Sequence, residues 1–121
     1  MRRTAATIIG LATLALGASA SAAELKDLVG KWKWQEFTVE GTECPATGAC
    51  WKVVAGPKSI GLEMFRTKPE KRGDIFVGQV VHPATGEVYN TRMQMKNADT
   101  WSLDGCTAAN VCAQGDFVRV K

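Results

Sequence analysis

The sequence has very few of the residues that carry acid–base catalysis near neutral pH. It contains one histidine, His82, and one tyrosine, Tyr89, among 121 residues, and histidine is the usual general acid or base. No Ser/His/acid set, paired-carboxylate motif or phosphate-binding loop is detectable. We interpret His82, which precedes Pro83 at a strand end, as an exposed turn residue in preference to a pH-sensitive ligand contact. We therefore predict a protein that is not an enzyme and has no cofactor.

The sequence also lacks an apolar run of the roughly 20 residues that a membrane span requires. Its main apolar stretch, residues 5–16, follows two arginines and precedes a run of small residues that ends at Ala23. This order is typical of a secretory signal peptide with cleavage near Ala23. We therefore predict a signal peptide over residues 1–23 and a single domain over residues 24–121, periplasmic or secreted from a bacterium, with no membrane span.

A strong excess of one charge sign is missing as well. The formal net charge is +3, from 15 basic and 12 acidic residues. Arg2 and Arg3 lie in the predicted signal peptide, so the remaining chain has 13 basic against 12 acidic residues and a net charge of +1. Proteins that bind nucleic acid or anionic membranes do so through clustered basic charge. We therefore predict no nucleic-acid partner.

The four cysteines are present at a repeated spacing, Cys44-x5-Cys50 and Cys106-x5-Cys112. Export to an oxidising compartment favours disulfides over metal or redox chemistry. The spacing differs from that of zinc knuckles and from the C-x-x-C redox motif, so we predict no metal site. Four cysteines allow three connectivities, and each local pair would bracket one turn.

Energy and geometry favour different pairings of these cysteines. The entropy of loop closure gives about 2.4 kcal/mol for a seven-residue loop and about 4.3 kcal/mol for a long loop from Cys44 to Cys106. Cysteines that flank a hairpin, however, lie opposite each other at a separation that a disulfide spans without strain. We therefore favour the local pairs, Cys44 with Cys50 and Cys106 with Cys112.

The hydrophobic periodicity of the chain after the predicted signal peptide is that of strands. Only residues 25–29 fit one short helical turn, and the rest alternates between apolar and polar residues. Seven strands are predicted, with an eighth allowed: Lys31 to Val39, Cys50 to Ala55, Ser59 to Arg66, Asp74 to His82, Glu87 to Met95, Thr100 to Asp104 and Ala113 to Val120.

Short turns connect these predicted strands. Pro-Ala-Thr-Gly occurs twice, at residues 45–48 and 83–86, and Asn97–Asp99 forms another tight turn, whereas residues 67–73 form a longer polar loop. Consecutive strands joined by short loops form an up-and-down antiparallel sheet. A sheet of seven or eight strands with one apolar face tends to close, because closure removes exposed edges. We therefore predict an all-β fold, a small antiparallel up-and-down β-barrel.

The alternation also predicts which side chains point into this barrel. Tyr89, Met93 and Met95 share one face of their strand, while Asn90 and Arg92 share the other. Trp101 and Leu103 match the inner face on the next strand, as do Ile60, Leu62 and Met64 on an earlier one. Such a stripe is either packed core or the lining of an adaptable apolar pocket. The candidate lining residues are Trp34, Met64, Tyr89, Met93 and Trp101.

Two residues at opposite ends of the domain form a further pattern. Gly30-Lys31-Trp32 begins the first predicted strand, and Arg119 lies near the end of the last. The pair resembles the lipocalin and calycin arrangement, in which an Arg of the final strand packs over a Trp of the first. The resemblance implies a lipocalin-like barrel in which Trp32 and Arg119 have structural roles.

A longer pattern occupies the C-terminal half, in the segments Gly78–Tyr89, Asp99–Cys106 and Phe117–Val120. It resembles a family of small exported bacterial proteins called a domain of unknown function, and the resemblance extends over residues 30–121. The resemblance implies a lipocalin-like barrel without established catalytic residues. The sequence departs from that family at two positions, since the family usually has Gly where Trp51 stands and Trp where Phe117 stands.

These observations lead to two functional hypotheses. The first is an exported, non-enzymatic barrel that binds a small apolar or amphipathic ligand within the barrel or at its mouth. The alternative is a protein-binding module, an inhibitor or an envelope assembly or stress factor, that contacts a periplasmic protein partner through the loops bracketed by Cys44–Cys50 and Cys106–Cys112. A barrel that inhibits a basic lysozyme would favour an acidic surface, which a net charge of +1 does not provide.

Overall fold

A computed structural model describes residues 23–121 of the chain. The predicted signal peptide, residues 1–23, lies outside the described residues except for Ala23. A 3-10 helix, Leu25–Leu28, precedes the first strand. The strands, β1 to β8 in chain order, are Gly30–Trp34, Phe37–Thr42, Cys50–Ala55, Glu70–Arg72, Ile75–Val81, Val88–Asn97, Thr100–Cys106 and Cys112–Arg119.

All eight strands belong to one antiparallel sheet with the order β3-β2-β1-β8-β7-β6-β5-β4. Strands that are consecutive in the sequence pair with each other, except β3 and β4, which lie at the two edges of the sheet. In addition, β1 pairs with β8 through Trp32 and Lys33, opposite Arg119 and Val118. This pairing of the first and last strands curls the sheet. The predicted all-β, up-and-down barrel is therefore confirmed. Between residues 23 and 121, no helix has the length and apolar character needed to cross a membrane.

Residues 61–66 connect the two sides of the curled sheet, and we call them the bridging segment. On one side, the Met64 amide donates to the Trp51 carbonyl of β3 at 2.7 Å. On the other, the Met64 carbonyl accepts from the Val81 amide of β5 at 2.8 Å. Glu63 and Phe65 make isolated bridges to Lys52 and Val80. The barrel thus closes through a few single-residue bridges in place of a regular strand.

Three predicted boundaries are wrong. The predicted strand from Lys31 to Val39 is two strands, because Gln35 has a positive φ of 54° and turns the chain. The predicted strand from Ser59 to Arg66 begins with a turn and then makes only isolated bridges, so Ile60 is 61% exposed and does not point inward. The predicted polar loop at 67–73 contains the short strand β4, which pairs with β5.

The 3-10 helix covers one end of the barrel, which we call the closed end. The Leu28 carbonyl accepts hydrogen bonds from the indole N–H groups of Trp32, at 2.9 Å, and Trp51, at 3.0 Å. The Asp27 carbonyl accepts a third indole bond, from Trp101 at 3.4 Å. Leu28 and the three indoles are fully buried. Because a buried donor or acceptor without a partner costs free energy, these bonds fix the helix over the core.

Arg119 completes the closed end in the predicted way. Its guanidinium carbon lies 4.3 Å from the centre of the Trp32 ring. Nη1 donates to the Val29 carbonyl at 3.1 Å, and Nη2 donates to the Ala98 carbonyl, also at 3.1 Å. The side chain also forms an ion pair with Asp99 at 3.2 Å. Arg119 therefore joins the start of β1 to the β6–β7 turn, and its cation–π contact covers Trp32.

Both disulfides connect the local pairs favoured from the sequence. Cys44–Cys50 closes the β2–β3 connection at the closed end, and Cys106–Cys112 closes the β7–β8 hairpin. Cys106 and Cys112 are direct cross-strand partners. No free cysteine remains in the chain. Two structural disulfides indicate an oxidising environment outside the cytosol.

Large side chains fill most of the barrel interior. The core includes inward-facing residues from β1, β2, β3, β5, β6, β7 and β8, together with the bridging segment. The largest fully buried side chains include Trp32, Trp51, Trp101, Met64 and Met93. Packing of this kind leaves no wide lumen along the barrel axis.

Candidate functional site

The end of the barrel opposite the 3-10 helix is surrounded by the connections at residues 35–36, 56–60, 82–87 and 107–111, and we call it the open end. Two of these connections hold each other in place. Ser59 Oγ donates to the Pro83 carbonyl at 2.7 Å, and Lys58 Nζ donates to the Ala84 carbonyl at 3.0 Å.

A small apolar cleft lies at the open end. Its volume is about 50 Å³, and its main walls are the side chains of Trp34, Met64, His82, Tyr89, Leu103 and Phe117. A cavity of about 150 Å³ holds benzene, and pockets for drug-sized ligands measure about 300–1,000 Å³. The cleft therefore admits a small apolar group and leaves the rest of a larger ligand outside the barrel.

Aromatic rings form one continuous wall of the cleft. The Trp34 ring stacks on Phe117, with ring centres 5.4 Å apart and planes inclined by 19°. The His82 ring meets Trp34 edge to face at 5.0 Å and lies 5.6 Å from the Tyr89 ring. These contacts preorganise the wall, because each ring limits the rotation of the next.

The opposite wall is made from small residues on β7 and β8. Gly105 and Gly115 occupy inward-facing positions on these strands, and Ala113 lies opposite Gly105 in the register. A side chain at Gly115 would collide with the Trp34 indole, and a side chain at Gly105 would collide with the backbone of β6. The two glycines therefore let the Trp34 indole approach β8 and let β6 approach β7 beside the cleft.

His82 is half-buried in the cleft wall, in contrast to the exposed turn residue that we expected. Its Nδ1 accepts a hydrogen bond from the Ala84 amide at 3.1 Å. Burial lowers the pKa of the imidazole below its ordinary value of 6.5, against the smaller raising effect of Glu87. The neutral ring with an accepting Nδ1 carries its proton on Nε2. His82 thus presents one N–H donor.

Two polar residues at the edge of the cleft, Asp104 and Thr91, are paired within the protein. Arg92 binds Asp104 through two hydrogen bonds of 3.1 Å, and this exposed pair raises the pKa of Arg92. The Thr91 hydroxyl donates to the Gly78 carbonyl at 2.8 Å. The negative charge of Asp104 at the edge of the cleft is therefore paired with the positive charge of Arg92.

Three of the five predicted lining residues, Trp34, Met64 and Tyr89, come together at the cleft. The structure places Met93 and Trp101 elsewhere, fully buried in the core. Sequence reasoning did not include His82 or Phe117 among the lining residues. Alternation along β8 places Phe117 on the inner face, and this signal could have identified it.

The described part of the chain contains no group of three or more His, Cys, Asp or Glu side chains that could hold a metal ion. Comparison of the chain with protein-family models, curated proteins and solved structures gives no match. The geometry of the cleft is therefore the basis for a functional proposal.

Proposed function

We propose that this protein is an exported, non-enzymatic binding protein whose open-end cleft receives a small apolar group of an amphipathic ligand. The observation that carries the proposal is the aromatic wall of Trp34, Phe117, Tyr89 and His82 around an apolar space of about 50 Å³. Apolar pockets with a few convergent polar groups are the usual form of a small-molecule site.

The contrast with the core supports this proposal. Met93 and Trp101 are fully buried, whereas Trp34, which also faces inward from its strand, and His82 remain partly exposed. A ligand group in the cleft would cover the apolar surface of these rings and so gain the free energy of its burial. The two disulfides support a site of action outside the cytosol.

An NMR titration of the disulfide-bonded protein with 1-hexanol tests the proposal. We expect resonances of Trp34, Met64 and Tyr89 to shift with one common affinity, while those of Met93 and Trp101 stay unchanged. Ala113→Leu should fill the cleft and abolish these shifts. The matched control is Ala109→Leu, which adds the same bulk to an exposed residue of the β7–β8 hairpin. Equal responses from the two variants, or no shift in the unmodified protein, would refute the proposal.

One observation favours a second candidate function, in which the open end binds a protein partner. Ile60 and Val111 are 61% and 52% exposed, and they lie on two of the connections that surround the open end. Val111 belongs to the loop bracketed by Cys106–Cys112. Exposed apolar side chains on rigid loops are typical of binding surfaces. Capture of a periplasmic protein that is lost in an Ile60→Ser, Val111→Ser double variant but retained by Ala113→Leu would favour this candidate.

A further inference from the structure

The four tryptophans of the protein differ in what their indole N–H groups bind. Trp32, Trp51 and Trp101 each donate to a backbone carbonyl of the 3-10 helix. The Trp34 indole has no acceptor within residues 23–121, although its ring is packed against Phe117 and the backbone of Gly115. Since indole can only donate, Trp34 presents an unused donor at the cleft.

Two more donors on the same wall lack an acceptor. Tyr89 is 8% exposed, and its hydroxyl has no hydrogen-bond partner in the part of the chain that the structure describes. His82 uses Nδ1 as an acceptor for the Ala84 amide, so its proton is on Nε2, for which the described residues offer no acceptor. Of these three residues only Tyr89 is buried, and buried polar groups in proteins are almost always hydrogen-bonded. Three side chains around one apolar cleft can therefore donate to a bound group.

The charge around the cleft decides which kind of acceptor fits. The Asp104 carboxylate is paired with Arg92, and Glu87 is the acidic group that acts on His82. The titratable groups that line or face the cleft are thus His82, Tyr89, Asp104 and Glu87, with Arg92 beyond Asp104. Lys58, on the connection at 56–60, donates to the Ala84 carbonyl, and the residues that line the cleft include no lysine or arginine. An anion placed among these groups would lose its hydration without gaining a countercharge. A neutral acceptor does not have this cost.

We propose that the ligand of the cleft is a short apolar chain that carries a neutral carbonyl oxygen, and that the N–H and O–H groups of Trp34, His82 and Tyr89 bind this oxygen. This inference rests on the proposed function and specifies its ligand class. The side chains of Met64, Leu103 and Phe117 line the part of the cleft that would receive the apolar group nearest the carbonyl. A ketone, an ester or amide group of a small molecule, and the backbone carbonyl of a peptide share this chemistry.

The experiment is a ¹⁵N–¹H NMR titration that follows the four indole N–H signals, with Trp34 assigned from a Trp34→Phe variant. The probes are 2-hexanone, hexanoate and hexylammonium, which share an apolar chain and differ in the polar group. We expect 2-hexanone to bind most tightly and to move the Trp34 indole proton downfield. The indole signals of Trp32, Trp51 and Trp101 serve as internal controls, because their acceptors are already in place.

Substitution separates the carbonyl contact from the apolar contact. Tyr89→Phe removes only the hydroxyl and should weaken 2-hexanone binding by about threefold to tenfold, the effect of one hydrogen bond. The same change should leave hexylammonium binding unaltered. Met64→Leu conserves the volume of the wall and removes no donor, so it should retain the affinity for 2-hexanone.

The outcomes distinguish this inference from the proposed function. Equal binding of the three probes with an unmoved Trp34 indole signal, or tighter binding of hexanoate, would overturn the neutral-carbonyl ligand while the apolar cleft remains a binding site. If no probe moves any signal of the cleft, the proposed function fails with it. N-acetyl-leucinamide identifies the source of the carbonyl: tighter binding than 2-hexanone supports a peptide segment, and weaker binding supports a small molecule.

Discussion

The two ends of the barrel contain similar side chains in opposite hydrogen-bonding states. At the closed end, the indoles of Trp32, Trp51 and Trp101 all donate to carbonyls of the 3-10 helix. At the open end, the Trp34 indole has no acceptor among the described residues and lies beside the cleft. A tryptophan with an internal partner stabilises the fold, whereas one without a partner is available to a ligand.

The cationic and titratable groups of the two ends follow the same division. Arg119 at the closed end binds two carbonyls, forms an ion pair with Asp99 and covers Trp32. The His82 side chain at the open end accepts one short-range hydrogen bond, from the Ala84 amide, and packs between Trp34 and Tyr89. The guanidinium group at the closed end is therefore used in contacts within the protein. The imidazole at the open end keeps an N–H donor that has no acceptor among the described residues.

The largest expected effect is the loss of a tryptophan at the closed end. Trp32→Ala should lower the free energy of unfolding by about 3–5 kcal/mol, because it removes a fully buried ring and one indole bond to the Leu28 carbonyl. Trp34→Ala at the open end should have a smaller effect, since this ring is partly exposed. Urea denaturation of both variants measures the difference, and equal losses would contradict the division between the two ends.

The disulfides allow a comparison at constant loop length, since both close a sequence separation of 6 residues. The entropy of loop closure predicts about 2.4 kcal/mol for each. Replacing either pair of cysteines by alanine should therefore cost a similar amount through the unfolded state. An additional loss for Cys44 and Cys50 alone, seen in thermal unfolding, would show that their loop also supports the closed end, where Ala49 is buried.

Coupling between Arg119 and Trp32 should be the next largest effect. Their cation–π contact predicts that Arg119→Ala is less harmful when Trp32 is already alanine, with an interaction energy of about 0.5–3 kcal/mol. A double-mutant cycle in urea measures this energy. Additive effects would show that Arg119 acts only through its bonds to Val29 and Ala98, and would remove the energetic support for the calycin-like arrangement.

Substitutions that conserve side-chain volume should distinguish residues of the cleft from residues of the core. They should change the free energy of unfolding only a little. Tyr89→Phe should change the melting temperature little, because the hydroxyl has no partner within the described residues, but it should weaken carbonyl binding. Met93→Leu should alter stability by less than about 1.5 kcal/mol and leave binding unchanged, since Met93 lies in the core. A loss of binding from Met93→Leu with an intact fold would instead extend the ligand site into the barrel.

The smallest effect concerns pH. Burial lowers the pKa of His82 below 6.5 in the folded protein, so the unfolded state binds a proton first on acidification. Stability should be complete above pH 6.5 and should decline as the pH falls through the folded pKa. His82→Gln should remove this part of the pH dependence, as measured by urea midpoints at several pH values. An unchanged slope would show that His82 titrates as an exposed residue.

Several features of the fold could be predicted because they depend on residues near one another in the sequence. Alternation gave β3, β5, β6, β7 and β8 to within a few residues, and the repeated cysteine spacing gave both disulfides. The Trp32–Arg119 contact was predicted from a resemblance and is confirmed by the pairing of β1 with β8.

Two of the three wrong boundaries occur where long-range contacts decide the local structure. Apolar and polar residues alternate over 61–66 as they do in a strand, yet this segment forms only isolated bridges. It is hydrogen-bonded to β3 on one side and to β5 on the other. The polar segment containing β4 pairs with β5 in spite of its low strand propensity. Propensity is overridden in both places by the backbone hydrogen bonds that the neighbouring strands offer.

The sequence likewise predicted only part of the cleft. The sequence indicated that Trp34, Met64 and Tyr89 face inward, but its periodicity could not separate them from Met93 and Trp101, because all five occupy equivalent inward positions. Depth along the barrel separates them, and this depends on the stagger of the strands. His82 joined the cleft only because β5 ends beside Trp34.

The sequence by itself determined the strand content, the local disulfides and the inner face, because alternation and turn chemistry act over a few residues. The tertiary structure alone decided which inward side chains become core and which line a cleft. It did so by placing the 3-10 helix over one end, where its carbonyls accept three indole bonds, and by packing the Trp34 indole on Gly115 at the other, without an acceptor among residues 23–121. The acceptors of the Trp51 and Trp101 indoles lie 23 and 74 residues away in the sequence, and only the closed fold brings these donors and acceptors together.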